Sequence, residues 1–187
     1  MNDKSDRRSQ RTRQAIGEAF HHLMMEKGYE AVSIKDIIDR ANVGRSTFYA
    51  HFADKDDLFA SQLDFMLEML IQHTSQEVSE ENPFFPSLGL FQHVQQQWKL
   101  YKILSWESNS LHTQHLQKSI SAKIEARLLA SGRNLDVPPL VAANFIAGGL
   151  LSLLKWWLDN KMIYSPEQMD EMFRKLAVRG IAQRVSS

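Results

Sequence analysis

The most constraining feature of this sequence is a pair of short helical patterns that lie only three residues apart. Apolar residues recur at helical spacing over 34–41, and Ser33 precedes them as a good N-cap. The residues Asn42-Val43-Gly44 follow, and a second helical pattern runs over 45–52. Because asparagine accepts a left-handed backbone more readily than most residues, these three residues predict a tight turn between two helices.

Two helices this short are a poor basis for a general core, but they present one helix well to a groove. In a helix-turn-helix unit, the first helix braces across the DNA backbone and the second enters the major groove. Phe48 and Phe52 are predicted to anchor the second helix. The side chains left facing outward are Arg45, Ser46, Thr47 and Tyr49. Arginine can read guanine through paired hydrogen bonds, and hydroxyls can reach bases or phosphates.

The distribution of charge adds a second indication of DNA binding. The formal net charge is +0, so the overall balance does not indicate a nucleic-acid partner. The first fifteen residues, however, carry an excess of basic side chains, Lys4, Arg7, Arg8, Arg11 and Arg13 against Asp3 and Asp6. Such an arm can approach a phosphate backbone even in a neutral protein. On charge alone, a solvated terminus is an equally good interpretation.

Helical periodicity dominates the rest of the chain, and no segment alternates as a strand would. The pattern predicts an all-α protein with further helices over about 8–27, 88–105, 111–130, 139–160 and from 166 onward, and a long one from Lys55. We expect a three-helix DNA-binding domain at 1–54 and a helical domain at 55–187.

Several classes of protein are disfavoured by composition. The chain has no cysteine, which excludes disulfides and thiolate metal sites. The polar, charged start does not resemble a signal peptide. The apolar segment 140–154 falls short of the ~20 residues of a membrane-spanning helix, contains Asn144 and is followed by Lys155. We therefore expect a buried helix, no membrane association and a cytoplasmic location.

The segment SIKDIIDRANVGRSTFYAHFADKDDLF resembles the DNA-binding signature of the TetR/AcrR family of bacterial regulators. The matching residues are Ser33, Asp36, Ile37, Ala41, Val43, Thr47, Phe48, Tyr49, His51, Phe52 and Lys55. The sequence departs from the family pattern at Ile38, Asn42, Gly44 and Ser46, where Ala, Gly, Ser and Gly are usual. These departures do not change the expected fold. They concern the exact backbone contacts that the family pattern would predict at Gly44 and Ser46.

The resemblance implies a transcriptional repressor that binds double-stranded operator DNA and is released by a small-molecule effector. It places Ser33, Tyr49, His51 and Lys55 at phosphates, and Arg45, Ser46 and Thr47 near base edges; Arg11 of the basic arm joins the predicted DNA-binding set. Two alternatives stay open, because Ser33 can serve only as a helix cap and His51 can be a structural histidine.

The last two helices are the candidates for a homodimer interface. Gly148-Gly149 permits close approach of helix backbones, and the large apolar side chains over 150–158 exceed what one face would bury. The pattern resembles the four-helix dimer interface of the family. The alternative is burial within a single chain.

An effector pocket is expected between the middle helices. The apolar and aromatic residues that could line it are Phe65, Met66, Phe91, Trp98, Tyr101 and Trp106. Stripes of this kind at helical spacing are also typical of an ordinary core, and no ligand is specified.

Two other functions compete with DNA binding. An enzyme is disfavoured because no metalloprotease, phosphate-loop or nucleophile-elbow motif is present. His112 and His115, spaced i and i+3, could share a metal ion, but no third ligand is evident, so no metal and no cofactor are expected. A helical adaptor would explain the C-terminal helices but not the hydroxyl-rich recognition helix.

Overall fold

The computed structural model describes residues 3–73, 85–98, 110–132 and 136–181. These residues form the helices α1 (Asp3–Lys27), α2 (Ile34–Ala41), α3 (Arg45–Tyr49), α4 (Lys55–His73), α5 (Ser87–Gln96), α6 (Ser110–Ala130), α7 (Pro139–Asp159) and α8 (Pro166–Ile181). No strand occurs within these ranges. The all-α prediction is confirmed.

Helix α1 forms because its apolar residues recur at three and four positions and face one core. Ile16, Phe20 and Met24 on that stripe are buried. The helix ends where Gly28 adopts a left-handed backbone with φ 79°. The Gly28 N–H donates to the Met24 carbonyl at 2.9 Å, as expected of a glycine that terminates a helix.

Helices α4 and α8 begin at side chains that cap their first turns. Asp54 accepts a hydrogen bond from the Asp57 N–H at 2.8 Å, and this fixes the start of α4. Ser165 accepts from the Gln168 N–H at 3.3 Å, and the Gln168 side chain accepts from the Ser165 N–H at 2.9 Å. Both starts agree with the sequence expectation.

The described residues fall into two compact units. The N-terminal unit contains residues 3–63 and 110–112, and the C-terminal unit contains 64–73, 85–98, 113–132 and 136–181. The division falls within α4 and again within α6, so each of these helices contributes residues to both units. The domain boundary expected between residues 54 and 55 stays a prediction.

The core of the C-terminal unit is built around Trp157 on α7. Its ring is fully buried and meets Phe91 of α5 edge-on at 5.5 Å, while its indole N–H donates to the Tyr164 carbonyl at 2.9 Å. Helices α5 and α8 are joined by a buried hydrogen bond of 2.5 Å from the Ser87 hydroxyl to Asp170. These contacts hold α5, α7 and α8 together.

Helix α7 departs from the expectation of a helix buried on all sides. One side is buried and includes Ala143, Ile146 and Leu150, but Val141 and Phe145 on the other side are exposed. By length and composition alone, α7 is also the one described helix that could cross a membrane, a test that core helices of soluble proteins pass as well. Within a single chain, burial on all sides is therefore not observed, and the exposed apolar side lies on a helix that the sequence singles out as a dimer candidate.

Candidate nucleic-acid interface

Helix α2 starts at a complete capping box formed by Ser33 and Asp36. The Ser33 hydroxyl accepts from the Asp36 N–H at 3.2 Å and donates to the Asp36 carboxylate at 2.5 Å, which also accepts from the Ser33 N–H at 2.8 Å. The Lys27 ammonium, 2.8 Å away, and these hydrogen bonds hold the pKa of Asp36 well below its usual range. The cap is confirmed. The phosphate contact of Ser33 stays a prediction, and the Ser33 hydroxyl proton is already donated to Asp36.

The turn between α2 and α3 depends on one left-handed residue, Asn42. Its backbone has φ 50° and ψ 50°, as the sequence indicated. Gly44 has an ordinary extended backbone, and its carbonyl accepts the first helical hydrogen bond from the Phe48 N–H at 3.1 Å. A Cβ atom at Gly44 would come no closer than 3.6 Å to Thr47. Glycine is therefore not required there, and the serine usual in the family would fit.

Helix α3 is anchored from behind by aromatic side chains. Phe48 and Phe52 are buried with their rings 5.9 Å apart. The helix itself is shorter than predicted and ends at Tyr49, although the Phe52 N–H still donates to the Phe48 carbonyl at 3.0 Å in the turn that follows. The two buried rings thus fix the orientation of this five-residue helix.

The outward face of α3 carries the residues predicted to contact DNA. Arg45 and Ser46 are exposed, Tyr49 is 45% exposed and Thr47 is half-buried. The Arg45 guanidinium lies 5.8 Å from the centre of the Tyr49 ring, close enough for a cation–π contact. This contact between i and i+4 restricts both side chains to the same side of the helix.

Lys55 is engaged inside the N-terminal unit. Its ammonium group donates to the carbonyls of Tyr29 at 3.0 Å and Val32 at 3.1 Å, and lies 4.1 Å from the centre of the Tyr29 ring. Two of its three N–H groups are therefore used to tie the loop before α2 to the start of α4. The predicted phosphate contact stays a prediction and has one N–H left to make it.

Arg13 has a role that sequence reasoning missed. Its guanidinium lies 5.1 Å from the centre of the Phe52 ring and donates to the Ser61 hydroxyl at 2.7 Å. It thereby links α1 to the end of the α3 region and to α4. The sequence offered no signal for this role, because Arg13 looks like one more member of the basic arm.

The other two predicted DNA-binding residues lie on the same unit. Arg11 is exposed on α1. His51 is half-buried, and its ring lies 6.3 Å from that of Phe52. A phosphate contact and a structural role both stay open for His51.

The predicted effector-pocket residues do not share one environment. Phe91 is fully buried against Trp157, as in an ordinary core, whereas Phe65 is 63% exposed and Trp98 is also exposed. Met66 is half-buried. Tyr101 and Trp106 lie outside the described residues. The pocket stays a prediction.

A groove of about 670 Å³ lies between α7 and α8 and contains none of those six residues. Its lining is almost entirely apolar, with exposed Phe145, Trp156 and Leu176 among its largest side chains. Trp156 stacks on Tyr164 at 6.2 Å with 22° between the rings. The groove lies on the two helices that the sequence singled out for dimerisation.

The two histidines considered as metal ligands each lie beside a carboxylate of their own. His112 Nε2 is 3.4 Å from Asp56, and His115 Nε2 is 3.2 Å from Asp64, which also accepts from the Ser119 hydroxyl. Among the described side chains, no group of three or more histidines and carboxylates is arranged to hold a metal ion.

Two protein-family models match this sequence, one over the N-terminal part of the chain and one over the C-terminal part. The family model described as "Bacterial regulatory proteins, tetR family" matches residues 16–61, which include α2, α3 and the start of α4. A second model, described as "Transcriptional regulator C-terminal region", matches residues 81–179, more than half of the chain.

A curated relative and two solved structures are similar over most of the chain. The HTH-type transcriptional regulator YxbF of Bacillus subtilis is 26% identical over 178 residues, 90% of this chain and 45% of YxbF. A TetR transcriptional regulator from Streptococcus agalactiae matches with a TM-score of 0.67 and 24% identity. A TetR-family regulator from Syntrophomonas wolfei matches with 0.66 and 25%. Both structural matches cover 95% of this chain and 99% of the other.

The chain spans less than half the length of the first curated relatives it matches. The match nevertheless includes the capped α2, the turn at Asn42 and the recognition helix, together with most of the C-terminal unit. The chain belongs to the tetR family of bacterial regulatory proteins, which are DNA-binding transcriptional regulators.

Proposed function

We propose that the protein is a transcriptional repressor that binds double-stranded operator DNA as a homodimer and leaves it when a small-molecule effector binds. The observation that carries the proposal is the outward face of α3, where exposed Arg45, Ser46 and Tyr49 stand in front of the buried rings of Phe48 and Phe52. A helix fixed from behind and polar in front is suited to enter a major groove.

The proposed DNA contacts differ in strength according to how many hydrogen-bonding groups of each side chain are already used within the protein. Arg45 reads a base edge, with Ser46 and Thr47 beside it, because the guanidinium is exposed and already oriented by Tyr49. Tyr49, His51 and Arg11 contact phosphates. Ser33 and Lys55 add weaker phosphate contacts, since most of their hydrogen-bonding capacity is used within the protein.

The homodimer is proposed to form through the apolar groove between α7 and α8. Phe145 is 65% exposed and Leu176 is 67% exposed, which is unusual for large apolar side chains on one side of adjacent helices. Burying such side chains against a second copy of the same groove would remove this surface from water. A dimer also presents two copies of α3, so it can read twice as many base pairs as one chain.

The effector is proposed to bind among the middle helices, with Phe65, Met66, Phe91 and Trp98 as candidates in the C-terminal unit; the candidates Tyr101 and Trp106 lie outside the described residues. No effector chemistry is assigned. The proposal also places the protein in the cytoplasm, without a membrane partner, a cofactor or a catalytic activity.

Selection of bound sequences from a pool of random DNA duplexes tests this function. The expected result is enrichment of two related half-sites with centres about 10 base pairs apart or a multiple of that distance, since a symmetric dimer presents two recognition helices. A purified protein that enriches no sequence, or only a single half-site, would contradict the proposal.

A further inference from the structure

The first turn of α6 places a histidine inside the aromatic core of the N-terminal unit. The His112 side chain is only 12% exposed. The centre of its ring lies 4.0 Å from that of the Phe59 ring and 4.7 Å from that of the Tyr29 ring, which it meets edge-on. From Thr113 onward, α6 belongs to the C-terminal unit. His112 itself belongs to the N-terminal unit, together with Tyr29 and Phe59.

The polar edge of His112 faces a carboxylate without bonding to it. Asp56 Oδ1 accepts a hydrogen bond from the Tyr29 hydroxyl. His112 Nε2 lies 3.4 Å from the same oxygen, within ion-pair distance but outside hydrogen-bond alignment, and it has no other hydrogen-bond partner. A buried nitrogen without a hydrogen-bond partner costs free energy of desolvation. A protonated His112 would gain a partner by moving closer to Asp56.

The same cluster supports α3 from both sides. The Tyr29 carbonyl accepts a hydrogen bond from Lys55, the first residue of α4, and so does the carbonyl of Val32, just before the cap of α2. Helix α4 begins only three residues after Phe52, which packs against Phe48 behind α3. A movement of Tyr29 or Asp56 would thus disturb the entry to α2 and the exit from α3 together.

We propose that His112 is a positioning residue for DNA recognition: its neutral form leaves the Tyr29–Asp56 hydrogen bond intact in the DNA-binding geometry, and its protonation draws Asp56 into an ion pair and away from Tyr29. The inference rests on the proposed DNA-binding function and adds a form of regulation to it. It makes operator affinity sensitive to mildly acidic pH through one residue of α6.

The electrostatic surroundings favour the neutral form. Burial is the largest influence and lowers the pKa of His112 below its ordinary value of 6.5; Lys55 of α4 lowers it further, while Asp56 of α4 and Glu30 of the preceding loop raise it. Burial and the hydrogen bond to Asp56 raise the pKa of Tyr29, so its hydroxyl stays a donor. Because the folded-state pKa of His112 is lowered, its contribution to stability is present above pH 6.5 and is lost as the pH falls.

The decisive comparison is between the wild type and His112→Phe, measured on a duplex taken from the selection described above. Phenylalanine fills the slot between Phe59 and Tyr29 but cannot take up a proton. We expect equal affinities, within about twofold, at pH 7.5. Between pH 7.5 and 5.5 the wild type should lose up to about tenfold more affinity per protomer, the factor for an imidazole released to its ordinary pKa.

His115→Gln is the matched control, since His115 lies one turn further along α6 beside a carboxylate, Asp64. It should keep the pH dependence of the wild type. The other histidines are the same in all three proteins, so their titration cancels in the comparison. A His112→Phe protein with the full pH dependence of the wild type, or a wild type that binds more tightly in acid, would overturn the proposal.

Thermal unfolding of the free proteins provides a second measurement that needs no DNA. The unfolding midpoint of His112→Phe should fall less between pH 7.5 and 5.5 than that of the wild type, and at pH 7.5 it should be at least as high. If the wild type bound no duplex, the proposed function would fail, whereas equal acid sensitivity of the two midpoints would overturn the role of His112 itself.

Discussion

The surface around α3 and the surface between α7 and α8 are built on opposite principles. Around α3, the aromatic side chains Phe48 and Phe52 are buried and the exposed side chains are polar. Between α7 and α8, large apolar side chains such as Phe145 and Leu176 remain exposed. The first surface suits a charged, hydrated partner, and the second suits another apolar surface.

The difference suggests separate tasks for the two surfaces: association of two chains for the apolar one, and choice of DNA sequence for the polar one. Burial of one large apolar side chain contributes about 1.5–3 kcal/mol, so the exposed residues between α7 and α8 would supply most of the gain in the proposed dimer, against the cost of association. If α3 enters the major groove as proposed, its polar side chains would contribute mainly to the choice of DNA sequence. The following substitutions test the two surfaces separately, beginning with the largest expected effect.

Replacing Phe48 with Ala should have the largest effect. Phe48 is fully buried, and removal of such a ring from a core costs about 3–5 kcal/mol. The free energy of unfolding from urea denaturation should fall by that amount, with loss of DNA binding. Replacing the exposed Tyr49 with Ala should cost little stability, and an equally large loss there would contradict the assignment of inner and outer faces.

Replacing Phe145 with Asp should separate the two copies of the chain. A charge placed in an apolar interface must be desolvated, so operator affinity should fall by about 100-fold, or about 2.8 kcal/mol. Sedimentation at micromolar concentration should show a monomer. Leu129→Asp is the matched control, because Leu129 is 63% exposed on α6 but does not line the groove. A Phe145→Asp protein that stays dimeric would remove the α7–α8 interface from the account.

Replacing Gly44 with Ser should have the smallest effect and the opposite sign. A serine at the N-cap of α3 can accept a backbone hydrogen bond, and its Cβ would have 3.6 Å of room, so stability should rise by a few tenths of a kcal/mol, roughly. Urea denaturation measures the change.

Gly28→Ser provides the contrast for that substitution. The left-handed backbone of Gly28 should make the same replacement cost about 1 kcal/mol. If both substitutions destabilised the protein equally, the reading of the Gly44 cap would be wrong.

Local features of the fold could be predicted because the residues that form them are close in the chain. The Ser33 cap depends on Asp36, three residues away, and the left-handed turn depends on Asn42 alone. The bounds of α2 were predicted correctly for the same reason. A hydrogen bond within one helical turn joins residues only three or four positions apart, so the local sequence is enough to predict it.

The contacts of Lys55, Arg13 and His112 could not be predicted, because their partners are distant in sequence. Lys55 bonds to the carbonyl of Tyr29, 26 residues earlier, and Arg13 reaches Ser61, 48 residues later. Their charges look available for phosphate until the tertiary fold is known. The apolar excess of α7 could be read from the sequence, but an apolar pattern indicates burial without showing which residues of the helix a single chain covers.

Replacing Arg45 with Ala tests most directly whether α3 reads base edges. The affinity of this variant should be measured on the selected operator and on a random duplex of equal length, with Arg11→Ala as a control that should lose similar affinity on both. Arg45→Ala should cost about 1–3 kcal/mol on the operator and much less on the random duplex. Equal losses on the two duplexes would contradict base reading by α3.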